Sequence, residues 1–266
     1  MPKLDLYVCD TETTGLDPKI HDVIEVSILR LKDDVHKTWY IKPTNFETIS
    51  LEALEVNKIK IEDLRRDPNS ISEHEKSLGV RAYRDVKNVL PEIENFIVEA
   101  GSSTHDRILV GHNIVFDLEM LIEMWRKAGA EDTFPFVKHG NLIDTKCLAI
   151  FYDFIRNSDV NTYNLGACIK RFGLKKRGFH EGSEDVKATK DLLMKMAEEL
   201  GNSYEPEVKE KKEEEKRTTP HEPTEAEIDH AKMEEVMNKM LTGEDVREYK
   251  KVAKVLGEYI KDRLNG

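Results

Sequence analysis

Residues 4–15 read LDLYVCDTETTG. Leu4, Leu6, Tyr7, Val8 and Cys9 are apolar or β-favouring and predict a short strand over 4–9. That strand delivers Asp10 and Glu12, two positions apart. Alternate residues of a strand share a face, so the two carboxylates project together. They repel each other there and are costly to desolvate. A hard divalent cation resolves the conflict, because Mg²⁺ and Mn²⁺ favour carboxylate oxygen. Thr13-Thr14-Gly15 is then expected to break the strand and set hydroxyls and backbone N–H groups beside the acids. Alone, this pattern fits equally a strand that stops in a polar turn.

Working outward, Leu16-Asp17-Pro18 reads as a turn. Residues 23–31 (VIEVSILRL) and 36–41 (HKTWYI) predict two further strands, and short turns make the three an antiparallel meander. Residues 50–59 predict a short helix with Ser50 as N-cap. Residues 66–79 are polar and read as an exposed irregular loop. Residues 81–100 carry Val86, Val89, Leu90, Ile93, Phe96 and Ile97 at helical spacing, and Pro91 is expected to divide that run. A buried strand over 108–113, a helix over 116–128, a strand from 142 and helices over 164–172 and 183–200 follow, the last with Ser183 as N-cap. The first 200 residues therefore predict an α/β domain whose mixed sheet is antiparallel at first and parallel later.

Tyr204 to Thr224 is almost free of apolar residues and cannot repay its ordering entropy, so residues 202–224 read as a flexible charged linker. Helical periodicity returns over 225–266, a small segment suited to docking on its own domain, a second copy or a partner protein. The 266 residues thus divide into a domain over 1–201, the linker and a helical C-terminal segment. No apolar run is long enough to span a bilayer, and the N-terminus lacks a signal-peptide pattern. Cys9, Cys147 and Cys168 show no metal-ligand spacing, which points to reduced thiols and a cytoplasmic location. The net charge of −11 argues against generic high-affinity duplex binding. Bound cations and a local basic patch leave a nucleic-acid partner open.

Three more acidic or basic positions stand at element boundaries. Asp117, in GHNIVFD, falls in the first turn of a helix just after a strand, where a carboxylate also suits the helix dipole. Asp185 opens the last helix of the domain, and His180 precedes it on a glycine-containing loop in HEGSEDVKAT. A loop histidine can serve as a general base near neutral pH, although taken by itself it reads better as a plain exposed side chain.

Taken jointly, DTETTG, GHNIVFD and HEGSEDVKAT resemble the motif blocks of the DnaQ-like (DEDDh) 3′→5′ exonucleases, over residues 4–200. Among that family's members is the proofreading (epsilon) subunit of bacterial DNA polymerase III. The resemblance implies a ribonuclease H-like fold with a five-stranded mixed sheet in the order 3-2-1-4-5, flanked by helices. It implies that Asp10, Glu12, Asp117 and Asp185 hold two divalent metal ions, Mg²⁺ or Mn²⁺, and that His180 is the general base. Thr13, Thr14, Leu16, Asn113 and Phe116 would meet the terminal nucleotide, with Leu16 wedged between the last two bases or, equally, packed as plain core. ALEVNKI (53–59) resembles the family's short substrate-side helix, although the family often has Gly where Lys58 stands. Lys175-Lys176-Arg177 reads either as a contact for the incoming backbone or as a solvated helix end. The expected activity is release of nucleoside 5′-monophosphates from DNA 3′ ends, with a polymerase as the protein partner of the C-terminal segment. An exoribonuclease and a non-catalytic binding module on the same fold remain the alternatives.

Overall fold

The computed structural model describes residues 4–138, 141–175 and 182–203. The expected linker beyond Ser203 and the expected helical C-terminal segment lie outside the described residues, as do His180, Lys176 and Arg177. Among the described residues one mixed sheet has the order β3-β2-β1-β4-β5, matching the expected 3-2-1-4-5. β1 (Asp5–Thr13), β2 (Val23–Arg30) and β3 (Val35–Tyr40) form the antiparallel meander. β4 (Arg107–Gly111) runs parallel to β1, and β5 (Leu142–Asp144) parallel to β4.

Residue parity along β1 sorts the two faces. Tyr7 and Cys9 enter a core with Ile93, Phe96 and Ile97 of α4 (Val86–Val98) and Leu118 and Leu121 of α5 (Ile114–Ala128). Leu6 and Val8 pack on the other face against Val186 and Leu193 of α8 (Gly182–Ser203). α6 (Thr145–Ile155) and α7 (Leu165–Arg171) join α8 through Ala149, Cys168, Ile169, Leu192 and Met196. Burial of apolar surface on both faces is the main force holding this layered arrangement.

Local chemistry sets the helix starts. Ser50 accepts from Ala53 N before α1 (Leu51–Val56), Asp85 from Lys87 N before α4, and Asn164 from Ala167 N before α7. Four expectations need correction. β1 does not stop at Cys9 but continues through Thr13, because β2 pairs with it as far as Val23, with a register shift between Glu12 and Thr13. Residues 66–79 are not an irregular loop. They hold a 3-10 turn (Pro68–Ser70) and α3 (Glu73–Ser77), following α2 (Ile61–Arg65). A capping box between Ser72 and Glu75 and the burial of Leu64 and Ile71 order this stretch. Pro91 does not divide α4; six buried side chains hold one helix through the missing donor. Ser183 lies inside α8, which begins at Gly182, and so is not its N-cap.

Candidate active site

The parity that builds the core also builds the site. Asp10 and Glu12 continue the α8 face of β1, and Asp185 stands in the first turn of α8. One carboxylate oxygen from each of these three lies within 4.8 Å of the others. Thr11 points to the opposite face, toward α5. Its N–H and its hydroxyl both donate to Asp117 Oδ1, at 2.9 and 2.7 Å. β1 therefore carries carboxylates on one side and anchors Asp117, in the first turn of α5, from the other.

Glycine at two positions permits this approach. A Cβ at Gly111 would lie 2.5 Å from Ile114 Cδ1, so the step from β4 into α5 has no room for a side chain. A Cβ at Gly182 would lie 2.8 Å from Glu25 Oε1, 3.0 Å from Ser27 Oγ and 3.4 Å from Asp10 Oδ2. The bare start of α8 thus lies directly on the carboxylates.

Burial and mutual repulsion shift these acids. Asp10 is pushed well above the usual carboxylate range by burial, then by Asp117, Glu12, Asp185 and Glu25. Glu12 is raised to about 8 by burial, then by Glu25 and Asp185, with Arg81 opposing. Asp117 is raised to about 7 by burial, partly offset by the two Thr11 hydrogen bonds, with Asp144 pushing it up further. Such a set is unfavourable as anions without a cation and suits one of all-oxygen preference.

The remaining positions surround this cluster. Thr13 is buried, donates its hydroxyl to Gly15 O at 2.7 Å, and accepts from Asn57 Nδ2 at 3.0 Å. Thr14 is fully buried, and Asp22 N donates to its hydroxyl at 2.9 Å, while its carbonyl accepts from Ser50 N at 2.8 Å. Asp22 in turn accepts from Thr44 and Lys127, which fixes the loop that carries Leu16. Leu16 itself is 81% exposed, which removes its reading as core. Asn113 adopts a left-handed backbone (φ 73°) at the entry to α5, and its N–H donates to Asp144 Oδ1 at 3.1 Å. Phe116 packs partly buried against the core. His112 bridges Thr145 Oγ1 (3.0 Å) and Tyr163 O (2.7 Å), tying β4 to the start of α6 and to the approach to α7. His180 lies outside the described residues.

Two residues at the site escape the reading of the sequence. Glu25 is the cross-strand partner of Glu12 and is 1% exposed. Arg81 reaches it from the segment before α4, with Nη1 3.4 Å from Glu25 Oε2. The one available signal for Glu25 is an acid set between the apolar Val23-Ile24 and Val26.

Residues 7–86 match the model of the exonuclease family (RNase_T). The DNA polymerase III PolC-type protein of Thermotoga maritima is 27% identical over 198 residues, which cover 72% of this chain and 12% of that protein. Its counterpart in Staphylococcus saprophyticus is 25% identical over 193 residues, covering 73% and 11%. The chain thus corresponds to only about an eighth of the length of these relatives. Among solved structures, E. coli exonuclease I in complex with an oligonucleotide superposes with a TM-score of 0.54 at 15% identity, over 76% of this chain and 41% of that one. Cell-death related nuclease 4 gives 0.54 at 13% identity, over 74% and 65%. At such identities the superpositions speak for the fold. The family match covers residues 7–86, the sequence relatives are similar over about three quarters of the chain, and the superpositions show the same fold.

Proposed function

We propose that the chain is a metal-dependent 3′→5′ exonuclease acting on single-stranded or frayed DNA ends and releasing nucleoside 5′-monophosphates. The observation that carries this reading is the convergence of Asp10, Glu12 and Asp185 within 4.8 Å, with Asp117 anchored beside them by Thr11. An all-carboxylate donor set fits Mg²⁺ or Mn²⁺. Asp10, Glu12, Asp117 and Asp185 would hold two such ions, which when bound supply Lewis acidity to the attacking water and to the departing 3′-oxygen. The protein's own groups supply the rest. His180 takes the proton from the attacking water. Thr13, Leu16, Asn113 and Phe116 surround the terminal nucleotide, with exposed Leu16 as the apolar wedge and Thr14 acting through the turn it fixes. The relatives' names, DNA polymerase III, support DNA as the substrate and a polymerase as a partner of the C-terminal segment.

The test is degradation of single-stranded DNA and matched RNA, labelled at either end, with Mg²⁺, Mn²⁺ or EDTA. Metal-dependent ladders that shorten from the 3′ end, faster on DNA, are expected. Shortening from the 5′ end, or faster cleavage of RNA, would each overturn part of the reading. A second prediction concerns Thr11. Thr11→Val keeps the shape of the side chain but removes one of the two hydrogen bonds to Asp117. Partners of metal ligands typically contribute about 10–100-fold to affinity, so Mn²⁺ binding by calorimetry should weaken roughly tenfold.

A further inference from the structure

The stretch between α1 and α4 delivers a cation to the carboxylates. After α3, residues 80–84 run beside the end of β3: Lys42 N donates to Arg84 O at 2.8 Å and Arg84 N to Tyr40 O at 3.1 Å. That pairing lays Arg81 over Tyr40, its guanidinium carbon 5.4 Å from the ring centroid. Tyr40 is the cross-strand partner of Glu25, and this brings Arg81 to the Glu25 carboxylate. The Glu25 side chain is 2% exposed and the Arg81 side chain 24%, so the arginine spans from the cluster to solvent.

Arg81 also lines a cavity of about 260 Å³ together with Lys58, Ile59, Asp63, Val80 and Tyr83. Lys58 reaches that cavity by a separate route. It follows Asn57, whose side chain donates to Thr13 O, and it stands in the left-handed region at φ +54°. The cavity is therefore tied to the Glu12–Thr13 step twice, through Asn57 and through Glu25. Its charged lining is two cations and one acid, Asp63.

We propose that Lys58 and Arg81 form a phosphate subsite, which holds a phosphate of the nucleic-acid strand whose 3′ end lies on the carboxylate cluster. This rests on the nuclease reading above. A guanidinium held between the Tyr40 ring and the Glu25 carboxylate is restrained at the cavity, and its forked donors match phosphate oxygens. Lys58 adds a point charge on the same cavity. A chain of net charge −11 gains little from diffuse attraction to a polyanion, so local cations must make the backbone contact. Glu25 keeps the arginine in place between substrates. The stretch from α2 to Arg84 thereby serves the site, because it carries Arg81 to the cavity.

The experiment is fluorescence anisotropy of the full-length chain with a 5′-labelled oligothymidylate in Ca²⁺, from about 50 to 200 mM salt. The strand carries either a 3′-hydroxyl or a 3′-phosphate. Arg81→Met and Lys58→Gly should each weaken binding about tenfold, the loss of one charge-assisted contact. Each should lower the salt dependence by about one unit, which a merely structural role would not do. Arg81→Lys should recover part of the loss, and Mn²⁺ affinity should not fall. Lys58→Gly removes the charge while relieving a left-handed backbone, so loss of folding cannot imitate the effect. Weakening confined to the 3′-phosphorylated strand assigns the subsite to a terminal phosphate; weakening of both strands assigns it to an internal diester. Unchanged affinity and salt dependence in both variants overturn the subsite and leave the nuclease standing, as does a fall in Mn²⁺ affinity large enough to explain the loss. A wild-type chain that neither binds nor cleaves any strand overturns both.

Discussion

Replacing Asp10 by alanine is expected to lower metal-dependent cleavage by about a hundred- to a thousandfold, and to raise the melting temperature of the same protein without metal. The two effects share one cause. Asp10 lies against Glu12 and Asp185, and Asp117 and Glu25 add to the repulsion. In the proposed site a cation would be held by Asp10, Glu12, Asp117 and Asp185. Without one, Asp10 adds a buried carboxyl that must either hold a proton or carry a charge in a cluster short of positive partners. Removing it takes away the ligand and the repulsion together. Calorimetry in EDTA and a cleavage assay in Mg²⁺, run on one preparation, check both halves. A variant that melts lower than the wild type in EDTA would show that Asp10 is held as an ordinary structural acid, and retained cleavage would remove it from the metal set.

The second large effect is the pH dependence of the metal-free protein. Glu12 is raised to about 8 and Asp117 to about 7, each well above its value in an unfolded chain. Between the unfolded and folded values the native state holds more protons than the unfolded one, so stability falls as pH rises. The contribution is fully present near pH 4 and is lost by about pH 8, on the order of a few kcal/mol for the set. His36 and His112 are held below their ordinary value by burial, and each works in the opposite direction at lower pH. The window from about pH 6.5 to 8.5 therefore isolates the carboxylates. In EDTA the melting temperature should drop across that window by roughly 2–4 °C per kcal/mol. Mg²⁺ should stabilise more at the upper end, because protons compete with it at the lower. Glu12→Gln should flatten the slope. A melting temperature that stays level in EDTA, or a Mg²⁺ effect equal at both ends, would contradict this account.

The parts legible in the sequence were those with a local signature. β1 was legible because apolar residues lead straight into Asp10 and Glu12, and period-two alternation then sets their common face. Asp117 was legible because a strand, a glycine and a helix start follow one another within a few residues. Glu25 was not, because β2 is buried on both faces and its alternation disappears; nothing nearby in the chain marks it as the partner of Glu12. Arg81 was hidden for a related reason, since its contact with Glu25 spans the whole stretch from β2 to the residues before α4. The helix at Glu73–Ser77 did leave a trace, the Ser72-to-Glu75 capping spacing, but its polar composition outweighed that signal. The extent of β1 has no local signature, because strand pairing, a long-range event, carries the backbone through Thr13.

The two-sidedness of β1 bears on how this domain can change over evolutionary time. Thr11 faces α5 while its neighbours on either side face α8, and the strand is clamped between β2 and β4. Deleting or inserting a single residue between Tyr7 and Asp10 would send every following side chain to the wrong face. The same change between Asp10 and Glu12 would set the two acids on opposite sides of the sheet. A substitution here alters one side chain and leaves the others on their faces, whereas a change of length moves them all. Between α1 and α4 the reverse holds: short helices joined by turns can lengthen or shorten, provided Leu64, Tyr83 and the pairing at Arg84 are kept. Length variation among descendants of this chain should therefore collect in that stretch and be absent from the central strand.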